Sequence, residues 1–182
     1  MGYTIRIPPL FLFLCGALLL LPSCWKEEAP AWGLVSGKRP VYLPESSLLD
    51  IRNLPPQDIT NSGTIFLRDT LFFMLENGRG IHVFSVQDPA RTYPVTFFKI
   101  PAISDFTIAG DRLYADSWRD LLTLDISDIL AIRVLQRQPG VFQPSLFPPT
   151  YQGLFECVDL SRGAVVGWED AEIDNPRCRT VQ

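Results

Sequence analysis

Histidine is nearly missing. The chain has one, His82, in 182 residues, beside four cysteines. That is too few for a zinc or iron site of ordinary His/Cys make-up. Gly-x-Ser-x-Gly, a phosphate-binding glycine loop and His-Glu-x-x-His are all absent, which removes the familiar signatures of serine hydrolases, nucleotide-binding loops and zinc proteases. No motif implies a cofactor. Basic residues are outnumbered, 16 against 20 acidic, for a net charge of −4. A nucleic-acid partner would call for a basic face. Long apolar runs are also lacking. The longest, Leu10–Leu21, has twelve residues, and a membrane-spanning helix needs about twenty.

What is there begins with an address. Arg6 and the apolar run Leu10–Leu21 form the charged and hydrophobic regions of a secretory signal over residues 1–23. The run ends in Leu21-Pro22-Ser23-Cys24, which resembles a bacterial lipobox with Cys24 as the lipidated residue. Pro22 departs from the common pattern. An ordinary secretory signal with an accidental cysteine is the alternative. Lys26-Glu27-Glu28 follow directly and resemble the surface-export signal of Bacteroidota lipoproteins. A solvated charge run in a tether is the plain alternative there. Together these features imply a lipid anchor, palmitate among its acyl chains, in an outer membrane, with the chain facing the cell exterior.

Processing at Cys24 would leave enough chain for one domain with its own core. Sixteen prolines, with many aromatic and β-branched residues, suit an all-β protein of short strands and turns. Cys15 would leave with the signal and Cys24 would carry the lipid. Cys157 and Cys178 then remain as an even pair in an exported protein, so a disulfide is expected; two separate free thiols are the alternative.

Residues 24–62 read as a tether and lead-in. Cys24–Pro40 shows little periodicity, Val41–Leu43 could be a short edge strand, and Ser46–Arg52 could be a helical turn. In that turn Ser46 or Ser47 would be the cap, and Leu48, Leu49 and Ile51 the buried side. From Gly63 onward the pattern changes to strands. Thr64–Leu67, Leu71–Leu75, Ile81–Val86 and Val95–Ile100 are short apolar runs between turn-like segments. Asn77-Gly78 is a strong hairpin signal of type I′.

Shifted by forty positions, the same four runs recur as Ser104–Ile108, Arg112–Ala115, Leu121–Ile126 and Arg133–Gln136. Phe66 then meets Phe106, Glu76 meets Asp116, Phe84 meets Leu124 and Asp88 meets Asp128. Two units result, 63–100 and 103–138. Four antiparallel strands at this period match a β-propeller blade, so the expected fold is a pair of propeller-like blades, an incomplete propeller. A duplicated half of a β-sandwich is the alternative. In the blade reading Phe84 and Leu124 are equivalent and fully buried. Residues 139–182 comprise a Pro-rich segment and a C-terminal hairpin of Gly153–Asp159 with Ala164–Glu169. Two blades alone leave exposed sheet edges, which invite self-association.

Leu121-Leu122-Thr123-Leu124-Asp125-Ile126-Ser127-Asp128 resembles the LVIVD repeat of bacterial cell-surface lipoproteins, and Ile81–Pro89 is a looser copy. The resemblance covers about Val41–Phe142. It implies a propeller-like fold and carries no catalytic motif to transfer.

The acids Glu76, Asp105, Asp111, Asp116, Asp120, Asp125 and Asp128 fall mostly at expected strand ends and turns. Aspartate is favoured there for its bonds to nearby backbone. Calcium held by Asp116, Asp120 and Asp125 is a lesser reading. His82 stands within an apolar strand and reads as a packing residue. Tyr114, Trp118, Tyr151 and Trp168 are either core or surfaces for stacking sugar rings. Two functions follow from different classes. One is a non-enzymatic surface module that binds or scaffolds a protein or glycan. The other is a glycan-capturing or carbohydrate-active protein using Glu76 or Asp116 with nearby aromatics.

Overall fold

A computed structural model describes Gly2 and residues 33–88 and 90–180. Cys24 and the Lys26-Glu27-Glu28 run lie outside the described residues, as does the apolar run Leu10–Leu21. Among the described residues no helix is long and apolar enough to cross a membrane.

The protein is all-β. Its strands in chain order are β1 (Leu34–Leu43), β2 (Arg52–Leu54), β3 (Ser62–Arg68), β4 (Leu71–Glu76), β5 (Gly80–Asp88) and β6 (Arg91–Lys99). There follow β7 (Phe106–Ala109), β8 (Arg112–Ser117), β9 (Asp120–Asp125) and β10 (Arg133–Gln138), then β11 (Gly153–Phe155), β12 (Ala164–Asp174) and β13 (Cys178–Thr180). They form three sheets: β2-β6-β5-β4-β3, β10-β9-β8-β7 and β12-β1-β11-β13.

The first two sheets are antiparallel meanders in sequence order, with β2 added at the edge of the first by pairing with β6. Each meander is the four-stranded unit of a propeller blade. Alternation along the strands decides what each face does. In the first meander Phe73, Leu75, Ile81, Val83 and Phe98 share one face and are essentially inaccessible to solvent. In the second the same is true of Leu113, Ala115, Leu122 and Leu124. All nine belong to one hydrophobic core. The two meanders thus bury matching faces against each other, and Phe66 touches its own counterpart Phe106, with ring centroids 6.5 Å apart.

The hairpins differ in one residue. The β4–β5 ladder closes with Glu76 opposite Gly80, and the β8–β9 ladder with Ser117 opposite Asp120. In the first, the Arg79 amide donates to the Glu76 carbonyl across 3.0 Å, and of the two central residues only Gly78 has positive φ. Left-handed geometry at the third position alone is a type II arrangement, not the expected type I′. One extra loop residue slides β5 by one against the forty-residue shift. Leu113 faces Leu124, while its counterpart Phe73 faces Val83. The partner of Leu124 is therefore Val83, and Phe84 falls on the outer face, half-buried. Gly80 is held at this bend because a Cβ there would lie 2.0 Å from the Phe98 carbonyl oxygen.

The third sheet departs from the expected lead-in and tail. β1 is a ten-residue strand, where the sequence reading had a tether up to Pro40 and three residues of edge strand. It pairs antiparallel along its whole length with β12 and touches β11 in parallel at Lys38. β11 and β12 do not pair with each other, so the expected C-terminal hairpin does not form; β1 lies between them. Gly37 permits the close approach, since a Cβ would stand 2.4 Å from the Leu154 carbonyl oxygen. The helical turn is a 3-10 turn, Glu45–Leu49, preceded by Pro44 with no side-chain cap. Leu48 is buried there, but Leu49 is 70% exposed. The expected disulfide is present. Cys157 and Cys178 are bonded with their Cα atoms 5.2 Å apart, beside the pairing of Phe155 with Cys178.

Candidate functional site

The polar residues that recur at a spacing of forty have matching jobs. Glu76 ends β4, and its carboxylate accepts from the Asn61 amide at 2.7 Å, the Thr60 amide at 3.2 Å and the Thr60 hydroxyl. Asp116 stands near the end of β8, and its carboxylate accepts from the Ser104 amide at 2.7 Å, the Asp105 amide at 2.8 Å and the Ser104 hydroxyl. In each meander an acid at the end of the second strand ties down the chain that enters the first strand. Further along, Asp88 accepts from the Ala90 amide at 2.9 Å, and Asp128 from the Leu130 amide at 2.8 Å. These i to i+2 bonds are Asx turns, the local backbone role that favours aspartate at strand ends.

The two tying acids differ in their surroundings. Glu76 is fully buried, and His82 Nε2 lies 3.1 Å from its second oxygen. Burial raises its pKa, but the hydrogen bonds from Thr60, His82 and Asn61 outweigh that and hold it at about 2. His82 is itself buried, edge-on to Phe97 at 4.8 Å, as a packing residue would be. Asp116 instead lines an open cleft of about 990 Å³, and Glu76 does not.

That cleft lies beside the outer face of the second meander. Thr107, Tyr114 and Leu121 form one side. Val165, Val166 and Trp168 of β12, with Lys38 of β1, form another. The Pro-rich segment supplies Phe142, Gln143 and Tyr151. All four aromatics singled out in the sequence, Tyr114, Trp118, Tyr151 and Trp168, line it. They come from three separate stretches of chain. Trp168 is braced by a perpendicular contact with Phe155 at 5.5 Å, and Tyr151 carries the Lys38 ammonium 5.7 Å from its ring centre.

The calcium reading fails on geometry. Asp120 and Asp125 stand at opposite ends of β9. Asp120 is paired with Arg137 at 2.7 Å, and Asp125 with Arg112 and Arg133 at 3.2 and 3.3 Å. The Ser127 amide and hydroxyl, with those arginines, hold the Asp125 carboxyl below the usual range. Among the described residues no three histidine, cysteine or acidic side chains gather to hold a metal ion. The sequence reading missed Thr60, Asn61 and Phe142. Only the recurrence of a short polar pair before each first strand, Thr60-Asn61 and Ser104-Asp105, hinted at the first two.

Comparison of the chain with protein-family models, with curated proteins and with solved structures finds no match.

Proposed function

We propose that this chain is a surface lipoprotein, anchored in an outer membrane through Cys24 and exported by way of Lys26-Glu27-Glu28, and that it acts as a non-enzymatic binding module built on LVIVD-type β units. The observation that carries the binding role is the cleft. Four aromatics from three separate stretches of chain line it, between two sheets and a proline-rich strap. A non-enzymatic role is favoured by what the acids do. Glu76 and Asp116 are the two carboxylates a glycosidase reading would need, and both are occupied with backbone amides and a hydroxyl. Glycosidase pairs flank one scissile bond, yet of Glu76 and Asp116 only Asp116 lines the cleft. The exposed apolar side chains Ile65 and Leu67 on edge strand β3 support a secondary role in self-association, because an unpaired edge is a template for another chain.

The address is tested in the host cell. A palmitate analogue should label the wild type and not Cys24→Ala. Replacing Lys26, Glu27 and Glu28 by alanine should leave the chain lipidated but shielded from protease added to whole cells. Equal labelling of the Cys24 variant would remove the anchor, and equal accessibility of the triple variant would remove the export signal.

A further inference from the structure

We infer that the cleft takes a neutral oligosaccharide of pyranose units; this rests on the binding-module reading above and names its ligand class. At about 990 Å³ the cleft lies at the upper end of small-molecule sites, with room for more than one sugar ring. Its aromatic surface is partly exposed. Tyr114 is 36% exposed and Phe142 41%, and Tyr151 and Trp168 are half-buried. Rings held in this way offer flat apolar faces to the C–H face of a pyranose and a polar edge to its hydroxyls.

The charged groups of the lining are already engaged. Lys38 is paired with Asp170 at 2.8 Å. Asp116 accepts from Ser104 and Asp105, and Asp105 accepts from the Phe106 amide at 2.9 Å. Besides these groups and the second carboxylate oxygen of Asp105, the lining offers neutral partners such as the hydroxyl of Thr107 and the amide of Gln143. A phosphorylated or strongly acidic ligand would require unpaired cations, and Lys38 is the one cation of the lining. Trp118 lines the cleft and is nine-tenths buried, and its Nε1–H is the one buried side-chain polar atom among the described residues without a hydrogen-bond partner. The side chain packs with Leu48, Ala102 and Ala164, so it backs the cleft wall from the core side.

The test uses the full chain, purified in a detergent without sugar. It is titrated with cellohexaose, xylohexaose, mannohexaose and maltohexaose, with tryptophan fluorescence and calorimetry as readouts. Reducing ends are followed in the same samples. At least one hexaose should bind and perturb the fluorescence. Tyr114→Ala and Trp168→Ala should each weaken binding about tenfold or more, the loss expected at an aromatic hot spot. Tyr114→Phe and Trp168→Phe guard against misfolding; they should fold as wild type and retain most of the affinity. A folded wild type that binds none of the four overturns the saccharide inference and leaves the anchored-module reading to its own tests. Binding that Tyr114→Ala and Trp168→Ala leave unchanged also overturns it, because the ligand then sits elsewhere. Binding accompanied by reducing ends that Asp116→Asn abolishes keeps the ligand class and overturns the non-enzymatic reading.

Discussion

The two meanders solve one problem in two settings. Each ends its second strand with an acid that ties down the incoming chain, Glu76 in the first and Asp116 in the second. Around Glu76 the structure is sealed: no solvent reaches it, and His82, Phe97 and Met74 pack on the same face. Around Asp116 the corresponding face opens onto the cleft. The same hydrogen-bonding device is therefore sealed in one meander and borders an open cleft in the other. The chemical lesson is that a recurring carboxylate in a strand repeat is explained by the backbone donors it faces before any reaction is invoked.

The comparison can be broken first at the shared core. Leu124 is fully buried and Phe84, its counterpart by simple spacing, is half-buried on the outer face. Leu124→Ala should cost about 2–5 kcal/mol, the range for large-to-small changes in a core. Phe84→Ala should cost clearly less. Urea unfolding measures both, and equal losses would mean that β5 has no one-residue slide relative to β9.

The next largest effect sharpens the contrast between sealed and open faces. The third sheet forms one wall of the cleft, and the Cys157–Cys178 bond closes a 21-residue separation within it. Loop entropy makes such a bond worth about 3 kcal/mol. Replacing both cysteines by alanine should raise amide exchange in β11 and β13 while leaving β4, β5, β8 and β9 protected. Uniform loss of protection across all three sheets would show that the third sheet is not a separable wall.

A comparable but pH-dependent effect separates the two acids. Glu76 is held at about 2 against an ordinary value of 4.5. A depressed folded pKa adds stability above the unfolded value and loses it as pH falls through the folded one. Glu76 should contribute on the order of 3 kcal/mol at neutral pH, declining between about pH 5 and pH 2. Thermal unfolding of Glu76→Gln should show a lower midpoint at pH 7 and a shallower fall in acid than wild type. Parallel curves for the two proteins would contradict the assignment.

Much of this was legible in the chain. Strand patterning gave the all-β class and the approximate positions of β3 to β10, because alternating apolar residues must reach a core. The pairing of Cys157 with Cys178 followed from counting. Acids at strand ends and turns are expected to bond nearby backbone, and Asp116 and Asp128 do so. The rest was illegible for physical reasons. β1 carries Gly37, Lys38, Arg39 and Pro40, which look like punctuation, yet long-range pairing with β12 overrides that local preference. Pro40 is tolerated because the parallel contact with β11 is confined to Lys38. The one-residue slide of β5 depends on turn geometry at Gly78 and Gly80, which a forty-residue shift cannot register. The cleft's four singled-out aromatics come from three distant segments, so they could be named from the sequence but not assembled.

The central claim is that Glu76 and Asp116 do the same structural work, and it is tested most directly by a pair of double-mutant cycles. Equilibrium unfolding is measured for Glu76→Gln, Thr60→Val and their combination, and for Asp116→Asn, Ser104→Ala and their combination. Both cycles should show favourable coupling, about 1 kcal/mol or more for the sealed pair and a smaller value of the same sign for the exposed one, as bonds to charged groups and contacting residues give. Coupling in the first cycle with none in the second would contradict the account, because Asp116 would then be free of the backbone role that explains its presence.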